Sequence, residues 1–376
     1  MVVTQLQAAR KQLGYKAGEV IRLLRQRAHS LDIPVMTETS LKTKLSVWEN
    51  GHEQVSEPYR RLFREIYGRT NEELGFPAEE DDQSNELRAR LRLARTIDTT
   101  TVEVFRQQVD NARHVDRRFG AISLFEQLHS NIKQIEDLLR YSMIAGHRGP
   151  LAGVLTEVST LAGWNALDRN AYSQAWDHYE RAKAAAREAG SAPLLAHATA
   201  EQAFVLVDLG EVEQAARQLA HARAIAEGVA SPLLRSWLAA AHGEGLAATG
   251  QRDEALRAFD AANALLPENP QDPALPFIFL GGSNLDRWRG NALAKLGEPA
   301  AIDHLTDVLA RVPGEFTRAR VGTLVDLAFA HAAAGDRDAA RHYAQQARRV
   351  ASQIKSDRQL RRLSTLILPG NTSGVA

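Results

Sequence analysis

Ser40, Thr43, Val47 and Asn50 follow one another at intervals of three and four residues. A helix drawn through them presents all four on one face. Hydroxyl and carboxamide groups on such a face exchange hydrogen bonds with base edges, and Val47 suits the methyl group of thymine. Lys42 and Lys44 stand at the edges of the same face, where ammonium groups reach phosphates. Arg60 and Arg61, one element further on, add two more phosphate anchors. The chemistry this set can do is recognition of double-stranded DNA through the major groove, with no bond made or broken.

The helix that would carry these residues lies in Thr37–Glu53, TETSLKTKLSVWENGHE. Its opposite side is apolar, with Leu41, Leu45 and Trp48 on one stripe. That stripe makes Trp48 a core residue, and Glu49 is expected to pair or cap locally. Thr39 or Ser40 can accept the first free backbone N–H, and Asn50-Gly51 can turn the chain left-handed at the end. Around it, Val3–Leu13 reads as a helix ending at Gly14, Ala17–Ala28 as a second and Ser56–Tyr67 as another that opens on Glu57-Pro58. Helix-turn-helix motifs join their helices by three or four residues. Here roughly ten, about His29 to Glu38, separate the second helix from the third, so the docking angle and the choice of base-contacting residues stay open.

SLKTKLSVWENG, followed by SEPYRRLFREIYGRTNEELGF, resembles the Xre/Cro-type helix-turn-helix of actinobacterial regulators with a tetratricopeptide-repeat C-terminal half. The resemblance covers nearly the whole chain. It implies an all-α fold, with a helix-turn-helix DNA-binding domain at 1–76 and a tetratricopeptide-like superhelix at 149–369. Residues 77–148 would be an acidic linker and helical connector that helps dimerise the chain, and 370–376 a flexible tail.

Composition bounds the function further. The 376 residues carry 46 basic and 46 acidic side chains, which argues against a general polyanion binder. Residues 1–75 hold 12 Lys+Arg against 9 Asp+Glu, 12 − 9 = +3, and Glu79–Asp82 is an acidic run just beyond them. A mildly basic head with an acidic hinge fits a site-specific reader. Phe76–Asn85 is expected to be a linker. The chain has no cysteine, which excludes disulfides, thiolate metal sites and cysteine nucleophiles and suits a cytoplasmic location. Met1–Leu13 lacks the apolar core of a signal peptide, and the longest apolar run, Ala274–Leu280, is too short to span a membrane. No H-E-x-x-H, Walker-type loop, G-x-G-x-x-G or G-x-S-x-G occurs, so neither an enzyme nor a cofactor is expected.

From about Leu151 the chain repeats. Ala175–Tyr179–Ala182, Ala215–Leu219–Ala222 and Ala255–Phe259–Ala262 recur at steps of 215 − 175 = 40 and 255 − 215 = 40. Twelve residues before each sits another small residue, Gly163, Ala203 and Gly243. Ala301–Leu305–Val308 and Ala339–Tyr343–Gln346 are weaker copies. Tetratricopeptide repeats place small residues where paired helices touch and an aromatic between neighbours, with a period of about 34 residues. The longer step implies longer helices or loops. Pro267 and Pro313 mark the ends of second helices, and Pro267–Gly282 reads as a loop between units.

The first helices of stacked pairs line the concave face. The 40-residue step links Trp164, Phe204 and Glu244, and separately His197 and Trp237. His197, Glu201, Phe204 and Asp208 share one helical stripe. These seven residues are the candidate ligand-binding surface. With aromatics, acids and few cations, it suggests an uncharged or basic ligand, or an apolar peptide. Packing between repeats is the competing and commoner role for Trp164, Phe204 and Trp237. The expected function is a dimeric, sequence-specific DNA-binding transcriptional regulator, with peptide and small molecule both open as effector. The alternative is a repeat-based protein-interaction adaptor without specific DNA binding.

Overall fold

The computed structural model describes residues 4–77, 82–120, 124–142, 145–272, 274–281, 283–314 and 316–369. The tail 370–376 and residues 79–81 of the acidic run lie outside them. Among the described residues all regular structure is helical, and the chain divides into two units, Met1–Ala89 and Arg90–Ala376.

The first unit holds α1 (Gln5–Gln12), α2 (Ala17–Ser30), α3 (Glu38–Glu49), α4 (Glu57–Tyr67) and the single turn α5 (Asn71–Leu74). Leu41, Leu45 and Trp48 of α3 are buried, as their spacing requires. The Trp48 ring lies 4.9 Å from Tyr59 and 6.0 Å from Phe63. The cap of α3 differs from expectation. Thr37, and neither Thr39 nor Ser40, accepts the free N–H, that of Ser40, at 3.4 Å. Thr37 is the last residue in extended conformation, ψ 157°, so its hydroxyl alone is placed to fold back over the first turn. Gly51, at φ +72°, makes the left-handed stop. Because α2 runs on to Ser30, the connection to α3 is the seven residues Leu31–Thr37, shorter than expected. Glu49 forms a long-range pair: Arg10 of α1 grips it through Nε at 2.6 Å and Nη2 at 2.8 Å.

After α5, α6 (Asp82–Arg95) begins inside the stretch expected as a linker. The stretch holds no proline after Pro77, so nothing in its sequence breaks a helix there. α7 (Thr99–Phe119) is capped by Asp98, which accepts the Thr101 N–H at 2.7 Å, and α8 (Phe125–Tyr141) follows. Val102, Val109, Leu128, Ile132 and Ile135 share a core with Leu151, Val154 and Val158. From Arg90 the expected connector therefore packs with the repeats.

Five helix pairs follow: α9 (Ala145–Asp168) with α10 (Tyr172–Glu188), α11 (Ala192–Leu209) with α12 (Val212–Ala226), α13 (Pro232–Ala248) with α14 (Arg252–Leu265), α15 (Asn284–Lys295) with α16 (Ala300–Arg311), and α17 (Thr317–Ala333) with α18 (Arg337–Gln353). A short α19 (Asp357–Ser364) ends the series. First helices pack on first helices, α9 on α11, α11 on α13, α13 on α15 and α15 on α17, and so form the inner layer.

The phased residues hold the pairs together. The three strong triplets and Ala301–Leu305–Val308 are all buried. A Cβ on Gly163 would come within 2.8 Å of the Tyr179 ring, and one on Gly243 within 2.8 Å of Phe259. The small residue is thus the seat for the large one of the partner helix. The fifth copy is displaced. In α18 the buried line is Ala340, Ala347 and Ala351, while Ala339 and Gln346 are half-exposed. Here α19 packs on both helices of the last pair. The last elements also meet the first ones of this unit. α17 packs on α7 and α19 on α9, with Arg318 bound to Asp116 at 2.8 Å and the Ser356 hydroxyl donating to Asp168 at 2.6 Å.

Candidate functional site

Two surfaces answer to the sequence. On α3, Ser40, Lys42 and Thr43 are exposed and Lys44, Val47 and Asn50 half-exposed, opposite the buried Leu41–Leu45–Trp48 stripe. Asn50 turns its amide back to the Ser46 carbonyl at 2.7 Å. The cations have acidic neighbours. Lys42 lies 3.5 Å from Glu38, Lys44 is 2.7 Å from Glu53, and Arg61 is 3.3 Å from Glu65. Arg60 is the least accessible of the four, 19% exposed, with Glu57 at 3.7 Å and the Val55 carbonyl accepting from its Nε.

The inner layer of the second unit lines an open cavity of about 600 Å³. All seven residues of the proposed ladder, Trp164, His197, Glu201, Phe204, Asp208, Trp237 and Glu244, line it. Burial sets their chemistry. His197 lies between the rings of Trp237 (4.8 Å) and Phe277 (4.3 Å), and loss of water there pushes its imidazole down to about 3. It is neutral, so its approach to Glu201 at 3.7 Å is no ion pair at ordinary pH. Burial raises Glu201 to about 7, against the pull of the Tyr179 hydroxyl, which donates to it at 3.4 Å, and of the Arg358 charge. Asp208 accepts both arms of Arg358, whose Nη2 lies 2.8 Å away.

The ladder omits the cations. Arg113, Arg117, Arg287, Lys295, Arg318, Arg358, Arg361 and Arg362 face Asp116, Glu157, Glu201, Asp208, Glu244 and Asp326, eight basic groups to six acidic. The expectation of few cations on this surface is therefore corrected. These cations come from α7, α15, α17 and α19, which the 40-residue step does not reach. The insertion 266–283 is more than a loop between units. Leu275, Ile278 and Leu280 are buried, while Phe277 and Phe279 line the cavity. Arg117 lies flat over Phe279 with its guanidinium carbon 3.5 Å from the ring centre, and desolvation lowers it to about 10. The packing glycines carry the signal that the step loses. A Cβ on Gly290 would fall 2.5 Å from Leu305, so Gly290 does for the fourth pair what Gly243 does for the third. Moving from Gly243 to Gly290 carries Glu244 to Asn291, which also lines the cavity.

Several of these charges are paired. Arg113 binds Glu157 at 2.7 Å, Arg318 reaches Asp168 at 3.2 Å as well as Asp116, and Arg362 binds Asp326 at 2.7 Å. Arg361 donates to the Tyr172 hydroxyl at 2.6 Å. Among the described residues no cluster of histidine and carboxylate groups is set to hold a metal, and no helix is long and apolar enough to cross a membrane.

No family model matches the chain, and a search of curated proteins returned no match. Solved structures similar to it include a kinesin light chain with nearly identical TPR-like repeats from Podosopora anserina, at 17% identity and TM-score 0.34 over 52% of this chain and 94% of that one. A variant form of that same protein is similar at 17% identity and TM-score 0.35 over the same shares. A Rap protein complexed with Competence and Sporulation Factor is similar at 15% identity and TM-score 0.46, over 93% of this chain and 98% of that one. The helix-pair repeats described above rest on the packing of this chain itself.

Proposed function

We propose that the chain is a DNA-binding regulator whose repeat half takes up an effector in the inner cavity. The observation that carries the reading is the meeting of all seven ladder residues around one cavity of about 600 Å³, a volume suited to a small ligand. For the DNA-reading half, support comes from α3, whose short polar face stands free above a buried apolar back. In this reading Ser40, Thr43, Val47 and Asn50 approach base edges, and Lys42, Lys44, Arg60 and Arg61 exchange their carboxylate neighbours for phosphates. Two copies of the chain would place two readers on one operator. Apolar side chains left in solvent on α6 and α7, Leu93 at 61% and Val104 at 49% exposure, support a self-association that sedimentation of the full chain measures.

The test is selection of random duplexes by the full chain. One enriched motif is expected. Lys42→Ala with Lys44→Ala should weaken binding to it and flatten the salt dependence by about 2 in log–log slope. Recovery of random fragments without a motif sinks the reading. A protein-interaction adaptor is the second reading. It is favoured by one observation: each of the four proposed phosphate anchors already has a carboxylate within 3.7 Å, so the head offers little uncommitted positive charge.

A further inference from the structure

Two cations of the cavity are left without partners. The Nε of Arg287 is buried with nothing to donate to, and among the described residues neither Arg287 nor Lys295, two turns further along α15, has a side-chain hydrogen bond or ion pair. Folded chains almost always supply a buried donor with an acceptor, and the Arg287 Nε has none, whereas Lys295 reaches the cavity from an exposed position. The carboxylates near this pair do not do so. Asp326 is engaged by Asn291 at 2.8 Å and by Arg362 at 2.7 Å. Glu244, whose charge acts on both cations, makes no hydrogen bond to either.

Beside this charged corner stands an aromatic wall. Trp288 follows Arg287 in the chain, and its ring meets Trp237 at 5.5 Å and Phe204 at 6.1 Å, edge to face. We propose that the cavity binds a small organic anion, with its carboxylate or phosphate between Arg287 and Lys295 and a ring-bearing apolar body against Trp237, Trp288 and Phe204. This rests on the reading that the cavity takes a ligand, and it names that ligand's chemistry. The anion supplies the missing acceptor, in a setting where charge-assisted hydrogen bonds are strong. A cationic ligand would be repelled by Arg287 and Lys295, which have no hydrogen-bonded carboxylate among the described residues. Glu244 is the built-in competitor: its charge holds the two cations in the empty cavity and opposes the incoming anion.

Calorimetric titration of the full chain with naphthylacetate, its uncharged amide and naphthyl phosphate tests this. The two anions should bind at least about tenfold more tightly than the amide, and the tighter of the two identifies the headgroup. Arg287→Gln with Lys295→Gln should remove the preference for charge. Glu244→Gln should strengthen anion binding several-fold without touching either cation, which keeps the test alive if the double variant fails to fold. An amide that binds as tightly as the acid overturns the anion assignment and leaves the cavity a ligand site. Absence of heat from all three probes overturns the assignment and the cavity reading together.

Discussion

The head and the repeats handle charge in opposite ways. On α3 and α4 the cations are half-exposed or exposed, with carboxylates on the same or the next element, as in Lys42–Glu38 and Arg61–Glu65. Such pairs are individually weak and easily exchanged, which suits a surface that trades one anion for another. In the cavity, charges are drawn from helices far apart in sequence. Arg358 reaches Asp208 across 150 residues and Arg318 reaches Asp116 across 202. These pairs are largely out of water, so removing either member leaves a stranded charge. The contrast teaches that the head pairs its charges locally at the surface, while the repeats use most of theirs to tie distant helices together around the cavity.

The contrast breaks first at Asp208. Asp208→Ala should strand Arg358, whose side chain is only 15% exposed, and destabilise the repeat half by about 3–5 kcal/mol in urea unfolding. A loss no larger than that of a surface pair would put the cavity charges in the same class as those of the head. Arg287→Met should act in the other direction. With no hydrogen bond to lose and a buried donor removed, it should stabilise the chain by about 1–3 kcal/mol while weakening any preference for anions. An intermediate effect is expected from pH. Glu201 titrates near 7 in the fold against 4.5 when free, so the folded chain binds the extra proton. Its contribution is complete below pH 4.5 and is lost as pH rises through 7. Glu201→Gln should therefore raise the melting temperature at about pH 8 by roughly 2–4 °C and leave it unchanged at about pH 4. His197, lowered to about 3, works in reverse and loses stability as pH falls from 6.5 toward 3, so the two slopes are separable by variant. The smallest effect belongs to Lys44→Ala. It should cost under about 1 kcal/mol of stability, because its pair with Glu53 lies at the surface.

The helices and the inner ladder are legible in the sequence because their signals are local. Leu41, Leu45 and Trp48 follow the helical period, and Tyr179 and Phe259 sit opposite a glycine at fixed distance. The step of 40 therefore links Trp164, Phe204 and Glu244, which line one cavity. What the sequence hides is non-local. Nothing in the run DRQLRRLS announces that its arginines turn toward a cavity begun roughly two hundred residues earlier. Phe277 lies in a proline-rich insertion that breaks the phase, and its contacts with His197 and Arg113 in the fold reveal it as wall. Thr37 is hard to single out as the cap because the boundary of α3 depends on one backbone angle, which composition does not encode.

The closure by α19 has a kinetic consequence. Of this helix only Leu363 is buried, and its hold on the rest runs through Arg358, Arg361, Arg362 and the preceding Ser356. Lifting it exposes little apolar surface, so the barrier to its release is set by ions and responds to salt, whereas the glycine-seated pairs stay shut. Amide exchange in α19 should then outpace that of α13 and accelerate with ionic strength.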